Sequence, residues 1–197
     1  AFTTAAGMVA LTEKYLKDGF DQGLDKSSVV ILGGTGPVGV ASAVICAKAG
    51  ANVRLVGRSI EKAEKTAAIC NDRYQSKNVV AGADADKQDY LNKADIVLNT
   101  GAAGIQLMSD ENIQMSSNLK ICADTNAVPP SGIAGVDVMD SGKIMEKSPN
   151  KCRGIGALAI GNVKYKSQHE CLKLMYTSDD PVYLDFEDAF KFAQKSV

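Results

Sequence analysis

The chain has 197 residues, with 22 basic side chains against 23 acidic ones and a formal net charge of −1. That balance supports neither a nucleic-acid footprint nor an acidic tail, and 45% hydrophobic residues fill the core of one large domain or of a domain with an appendage. No apolar run is long enough to span a bilayer and Ala1 to Thr12 lacks the basic flank of a secretory signal, so a cytoplasmic protein with no membrane or nucleic-acid partner is expected.

The first residues, from Ala1 without an initiator Met, already lie inside a helical pattern of Ala5, Ala6, Val9, Ala10 and Tyr15, as in a processed or truncated chain. This helix is predicted over Ala5 to Lys17, stopping in the Gly- and Asp-rich turn Asp18 to Asp25. Val29 to Leu32 then form an apolar run that breaks at Gly33, the pattern of a central parallel strand buried on both faces. Val38 to Ala49 reads as a helix of small residues, Asn52 to Val56 as a second buried strand, and Ser59 to Tyr74 as a charged amphipathic helix. Val79 and Val80 suggest a third strand, Asp95 to Leu98 a fourth ending at Asn99, and Lys120 to Ala123 a fifth ending at Asp124.

Such alternation calls for an α/β fold, a doubly wound parallel sheet of the Rossmann type with right-handed crossovers. Beyond Val128, Pro129, Pro130 and Gly132 the pattern loosens, and two helices close the chain, Val163 to Tyr176 and Phe186 to Lys195, packed beside the sheet or against a partner. The expected organisation is a linking helix over 1–24, a nucleotide-binding domain over 25–160 and closing helices over 161–197.

Directly after the first central strand stands Gly33-Gly34-Thr35-Gly36-Pro37-Val38-Gly39, which contains GxGxxG as Gly34, Gly36 and Gly39. Following a strand and opening a helix, this is the dinucleotide fingerprint in its required context. The first glycine allows the tight turn, the second lets the backbone reach a pyrophosphate, and the third lets helix and strand pack closely. Thr35, Pro37 and Val38 complete the loop, with Pro37 at the first helical turn, where its missing N–H costs nothing. The pyrophosphate is expected on the free N–H groups of the helix start.

The tip of the second strand meets the adenosine ribose, and NAD binders place Asp or Glu there. Here it reads Val56-Gly57-Arg58-Ser59, with Lys62 a turn later, so a guanidinium, a hydroxyl and an ammonium are expected around a 2′-phosphate. The cofactor read from these residues is NADP. At the carboxyl ends of the fourth and fifth strands, Thr100, Gly101 and Ala102 permit close approach to the cofactor's ribose. Asn126 is expected to hydrogen-bond the nicotinamide carboxamide, while Val128, Pro129 and Pro130 wall its face.

The five cysteines, Cys46, Cys70, Cys122, Cys152 and Cys171, never form a CxxC pair and are expected as free, mostly buried thiols. The single histidine, His169, cannot build a His-based metal site alone and reads as a surface or interface residue; no metal is expected. No Tyr is followed four residues later by Lys, which removes the short-chain dehydrogenase acid pair. A hydride reaction that needs no strong proton donor fits this inventory.

Four stretches, FTTAAG from Phe2, GGTGPVG from Gly33, DTNAVPPSGIAGVD from Asp124 and IGALAIGNVKYK from Ile155, resemble the NADP-dependent methylene-tetrahydromethanopterin and methylene-tetrahydrofolate dehydrogenases of one-carbon metabolism. The last two are far more specific than a nucleotide fingerprint. The resemblance implies hydride transfer from the methylene carbon of a reduced pterin to NADP, giving the methenyl form, in a homo-oligomer. It also implies that the family's N-terminal domain, which carries much of the pterin side of the cleft, is absent here. The lysine of the family's closing motif matches Lys164, with Lys166 the nearby alternative. Two other readings stay open: a shikimate or glutamyl-tRNA reductase type, which shares the glycine loop and a basic-hydroxyl pair after the second strand, and a non-catalytic NADP-binding module or fragment.

Overall fold

A computed structural model describes the whole chain, Ala1–Val197. The first two strands, β1 (Ser28–Leu32) and β2 (Asn52–Gly57), pair in parallel, with β3 (Val79–Ala83) outside β2. On the other side of β1 come β4 (Ile96–Asn99), β5 (Ile121–Asp124) and β7 (Arg153–Ile155), all parallel, and β6 (Ser141–Ile144) closes that edge antiparallel to β7. The sheet order is therefore β3-β2-β1-β4-β5-β7-β6, and the chain reverses its direction of travel at β1. The connections that follow β1 and β4 pack on opposite faces of the sheet, and a crevice lies there at the carboxyl ends of the strands.

Strand alternation sorts the core into two layers. Val29, Ile31, Val53, Leu55, Ile96, Leu98 and Ile121 face α1 (Phe2–Phe20), α2 (Pro37–Lys48), α3 (Ile60–Arg73), α6 (Ala157–Thr177) and α7 (Phe186–Gln194). Val30, Leu32, Val97 and Cys122 face the opposite layer of short pieces, α4 (Lys87–Leu91), α5 (Asp110–Met115) and the 131–136 loop. Because both faces are covered, the inner strands read as continuous apolar runs.

The doubly wound α/β expectation holds, and the five expected strands are present. Helix α1 runs past its predicted end at Lys17 to Phe20 and stops where Asp21 enters the left-handed region (φ 49, ψ 39), its N–H donating to the Lys17 carbonyl. Helix α6 begins at Ala157 rather than at Val163, with Gly161 inside it. At Gly7, α1 crosses α6 so closely that a Cβ would lie 3.0 Å from the Ile160 carbonyl oxygen and from the Lys164 nitrogen. Helices α6 and α7 do close the chain, packed on α1 and on each other.

Strands β6 and β7, helices α4 and α5, and a 3₁₀ turn over Asp84–Asp86 were not in the sequence-based set. β7 has three residues, and β6, of sequence SGKI, is mostly exposed, so neither shows apolar periodicity. No helix is long and apolar enough to cross a membrane. The outer side of α6 carries an exposed stripe of Leu158, Tyr165, Leu172 and Tyr176.

Candidate functional site

The crevice at the sheet's switch point is a cleft of about 440 Å³. Its floor is the glycine loop, through Gly33, Thr35 and Gly36; one wall is the tip of β2 with Arg58 and Lys62, and the other is the loop after β4, with Thr100, Gly101, Ala102, Ile105 and Leu107. Seven of the predicted cofactor-binding residues, Thr35, Gly36, Arg58, Lys62, Thr100, Gly101 and Ala102, thus come from three separate strand ends and meet in one cavity.

Each loop glycine has a different physical reason to be there. A Cβ on Gly39 would lie 2.4 Å from the Gly34 oxygen, and one on Gly34 would lie 2.6 Å from a Leu55 methyl carbon, so these two serve the close packing of α2 on β1 and β2. Gly36 differs. A Cβ there would meet nothing nearer than the Gly33 oxygen at 3.9 Å, leaving open space directly in front of the start of α2. Gly36 is the N-cap of that helix and no side chain caps it, with Pro37 at the first position. The free N–H groups and the positive end of the helix dipole therefore face the cleft, a setting suited to a phosphate anion. Pro37 and Val38 begin the helix rather than lining the cavity.

Gly33, outside the GxGxxG count, combines a left-handed backbone with a close approach. Its φ is +67 and a Cβ would fall 2.6 Å from Gly101 Cα, so the loops after β1 and β4 touch backbone to backbone. Thr100 Oγ1 donates to the carbonyls of Leu32 and Gly33 at 3.2 Å each, fastening the same two loops.

At the tip of β2 the expected basic pair is present: Arg58 and Lys62 both line the cleft. Ser59 has another task. As N-cap of α3 its Oγ accepts the Lys62 N–H at 3.2 Å and its hydroxyl donates to Glu61 Oε2 at 2.7 Å, so it fixes the helix start and does not line the cavity. That hydroxyl holds the Glu61 carboxyl below the usual carboxylate range.

The β4 and β5 ends are tied by a buried hub. Asp124, 1% exposed, accepts from Asn99 Nδ2 at 2.7 Å, from the Asn126 N–H at 2.9 Å and from the Ile133 N–H at 3.0 Å. Asn99 Oδ1 in turn accepts the Gly101 N–H at 3.1 Å. A Cβ on Gly132 would lie 1.7 Å from Asn99 Nδ2, so the loop can cross this pair only as glycine.

Asn126 has its hydrogen-bond partners within the loop. Its side chain is 4% exposed; Oδ1 accepts from the N–H groups of Gly104 (3.2 Å) and Val128 (3.0 Å), and Nδ2 donates to the Pro130 carbonyl at 2.7 Å. It braces the loop. Val128 is exposed beside Gly104. Lys164 is not brought into the cleft either: it lies half-buried on α6 where α1 crosses at Gly7, and Lys166, whose Nζ approaches the Ser196 carbonyl at 3.4 Å, is on the surface.

The five cysteines are buried and unpaired. Burial, reinforced by the charge of Glu13, pushes the Cys46 thiol up to about 12, and burial pushes Cys70 up to about 11. Cys152 is raised by burial and by its hydrogen bond with Cys122; Cys171 is raised by burial and by the charge of Asp188. Thiols held protonated in this way are packing groups, not nucleophiles. His169 is exposed on α6. Sequence reasoning missed Asp84, which lines the cleft from the end of β3, because the 3₁₀ turn that places it carries no apolar signal.

No protein-family model matches the chain. Two proteins of Methylorubrum extorquens, the NAD(P)-dependent methylenetetrahydromethanopterin dehydrogenase and a bifunctional protein, are each 38% identical to it over 196 residues, which is 98% of this chain and 65% of theirs. The chain thus spans just under two thirds of the length of these relatives, and the resemblance carried by the four motifs is borne out. Among solved structures, a shikimate dehydrogenase in complex with NADP+ superposes with a TM-score of 0.58 at 16% identity, covering 97% of this chain and 61% of that one. A quinate dehydrogenase from Corynebacterium glutamicum in complex with NAD gives 0.58 at 15%, covering 99% and 62%. Glutamyl-tRNA reductase from Methanopyrus kandleri gives 0.54 at 17%, covering 100% and 43%. At such identities the likeness establishes the fold alone.

Proposed function

We propose, from the chain's relationship to the NAD(P)-dependent methylenetetrahydromethanopterin dehydrogenases, that it is the nucleotide-binding part of an oxidoreductase of one-carbon metabolism. The reaction is hydride transfer between the methylene group of a reduced pterin, methylene-tetrahydromethanopterin or methylene-tetrahydrofolate, and NADP, giving the methenyl form. The observation that carries this reading is the 38% identity over 98% of the chain, which spans the phosphate loop, the hub at Asp124 and the closing helix.

In the proposed complex the cofactor supplies the hydride acceptor. Gly36 and the first N–H groups of α2 hold its pyrophosphate, Arg58 and Lys62 hold the 2′-phosphate, and Thr100 to Ala102 lie along the ribose. Val128 offers an apolar surface to the nicotinamide. Asn126, Ser59, Gly34 and Gly39 act through the shape they give the loops. The pterin nitrogens stabilise the cation formed as hydride leaves, so the protein's contribution is position and electrostatics, without an obligatory acid or base. Lys164, set back along α6 from the carboxyl edge of the sheet, is assigned to the pterin side. The parts over 1–24, 25–160 and 161–197 are read as linking helix, NADP domain and closing helices. A cytoplasmic homo-oligomer completes the proposal, and mass by light scattering decides the oligomer.

The test is a spectrophotometric assay of NADPH formation with both methylene-pterins, using the gene product in its full natural length. Lys164→Ala should lower turnover there while leaving NADPH affinity unchanged. No NADPH formation with either pterin would overturn the reading.

NADP rather than NAD is read from Arg58 and Lys62 in the cleft. Loss of a charge-assisted hydrogen bond costs about 1.5–3 kcal/mol, so Arg58→Ala should weaken NADPH by roughly tenfold to a hundredfold and leave NADH nearly unchanged. Equal losses for both in calorimetry would remove the 2′-phosphate assignment.

A further inference from the structure

We propose that Asp84 reads the base of the bound dinucleotide, selecting adenine through its exocyclic amino group. This rests on the nucleotide-binding reading of the cleft and deepens it. Three features place a base near Asp84. The cavity that Gly36 and Arg58 line is lined also by Asp84, directly after β3, and by Ile105 and Leu107. A pyrophosphate on the start of α2 and a ribose at the tip of β2 leave the base to occupy the part of it beside Asp84.

The chemistry there is specific. Ile105, 49% exposed, offers apolar surface of the kind a heteroaromatic ring covers, and the planar guanidinium of Arg58 suits its π face. Asp84 is a surface carboxylate, an acceptor without a donor, so it pairs with an N–H₂ group and opposes a carbonyl oxygen at the same place. Adenine presents an amino group at that position, whereas hypoxanthine presents a carbonyl.

Asp84 is also held. Lys87 Nζ lies 3.6 Å from its Oδ1 and donates to the Leu107 carbonyl at 2.8 Å. One ammonium therefore links the β3 end of the cleft to the loop after β4, keeping the carboxylate at the rim between the two walls. The 3₁₀ turn over Asp84–Asp86 leads straight into α4, which fixes the backbone at this point.

The experiment compares affinities of the full chain for NADPH and for reduced nicotinamide hypoxanthine dinucleotide phosphate, in the native protein and in Asp84→Ala and Asp84→Asn. The native protein should favour NADPH by roughly threefold to tenfold, Asp84→Ala should bring the ratio close to one, and Asp84→Asn, whose amide can turn its oxygen to an amino group or its N–H₂ to a carbonyl, should do so too. Unchanged melting in circular dichroism confirms that the variants are folded, and the exposed position of Asp84 makes the asparagine variant structurally neutral. An unchanged ratio in Asp84→Ala overturns the inference while leaving the nucleotide reading intact. So does tighter binding of both nucleotides at a constant ratio, which would mean that the carboxylate only repels the phosphates. Failure of the native protein to bind either nucleotide overturns both.

Discussion

Gly36→Val should abolish NADPH binding while the protein melts at nearly its native temperature. The backbone at Gly36 is extended, with φ −86 and ψ 170, a conformation any residue adopts and a branched one favours. Nor does the protein resist the side chain, since a Cβ would meet only the Gly33 oxygen at 3.9 Å. What the valine would fill is the space in front of the N–H groups of α2, where a pyrophosphate has to approach the backbone directly. The fold itself therefore does not require glycine at this position. The control is Gly39→Ala, whose Cβ would fall 2.4 Å from the Gly34 oxygen and force α2 away from β1; it should lower the melting temperature first and binding only as a consequence. Circular dichroism melting and calorimetric titration of both variants separate the two effects. A folded Gly36→Val that still binds NADPH normally would reduce the fingerprint to a turn.

The contrast between those two glycines marks what was legible in the sequence. Buried parallel strands announce themselves as runs such as Val29 to Leu32, and a glycine string directly after one places the cleft from sequence alone. The same reasoning cannot rank the glycines, because φ and the distance to Gly101 are tertiary quantities; Gly33 lies outside the GxGxxG count, yet it has a positive φ and touches Gly101. Side-chain amides and hydroxyls were harder still. Asn126 and Ser59 were assigned to a ligand by position, yet local partners claim them: Gly104, Val128 and Pro130 for the first, Glu61 and the Lys62 N–H for the second. Short polar side chains in turns bond to nearby backbone by default, and that competition is decided locally. For Ser59 the signal was present, since a serine at the start of a charged helix is a cap before it is anything else. Asp84, β6 and β7 carried no periodic signal at all.

Asp124→Ala should destabilise the protein strongly. It would leave Asn99 Nδ2 and the N–H groups of Asn126 and Ile133 without their acceptor in a region that water does not reach, given that Asp124 is 1% exposed and Asn99 fully buried. Each unsatisfied buried donor costs about 1–3 kcal/mol, and relaxation of the loop offsets part of the total, so roughly 3–5 kcal/mol is expected. For a protein of this length that corresponds to a fall in melting temperature of about 6–20 °C. The consequence for binding follows from geometry. Asn99 reaches Gly101 and Asn126 reaches Gly104, so loss of the carboxylate loosens both anchors of the loop that forms one wall of the nucleotide cleft, and NADPH affinity should fall even where the protein remains folded. Asp124→Asn tests the same point more gently, because it keeps one acceptor oxygen but sets an amide donor against one of the three donors, at about 1–3 kcal/mol. The order native, Asp124→Asn, Asp124→Ala should hold in both melting temperature and NADPH affinity. A melting temperature for Asp124→Ala within a degree or so of the native value would show that the strand ends are held by packing alone, and that the carboxylate between β4 and β5 does not organise the site.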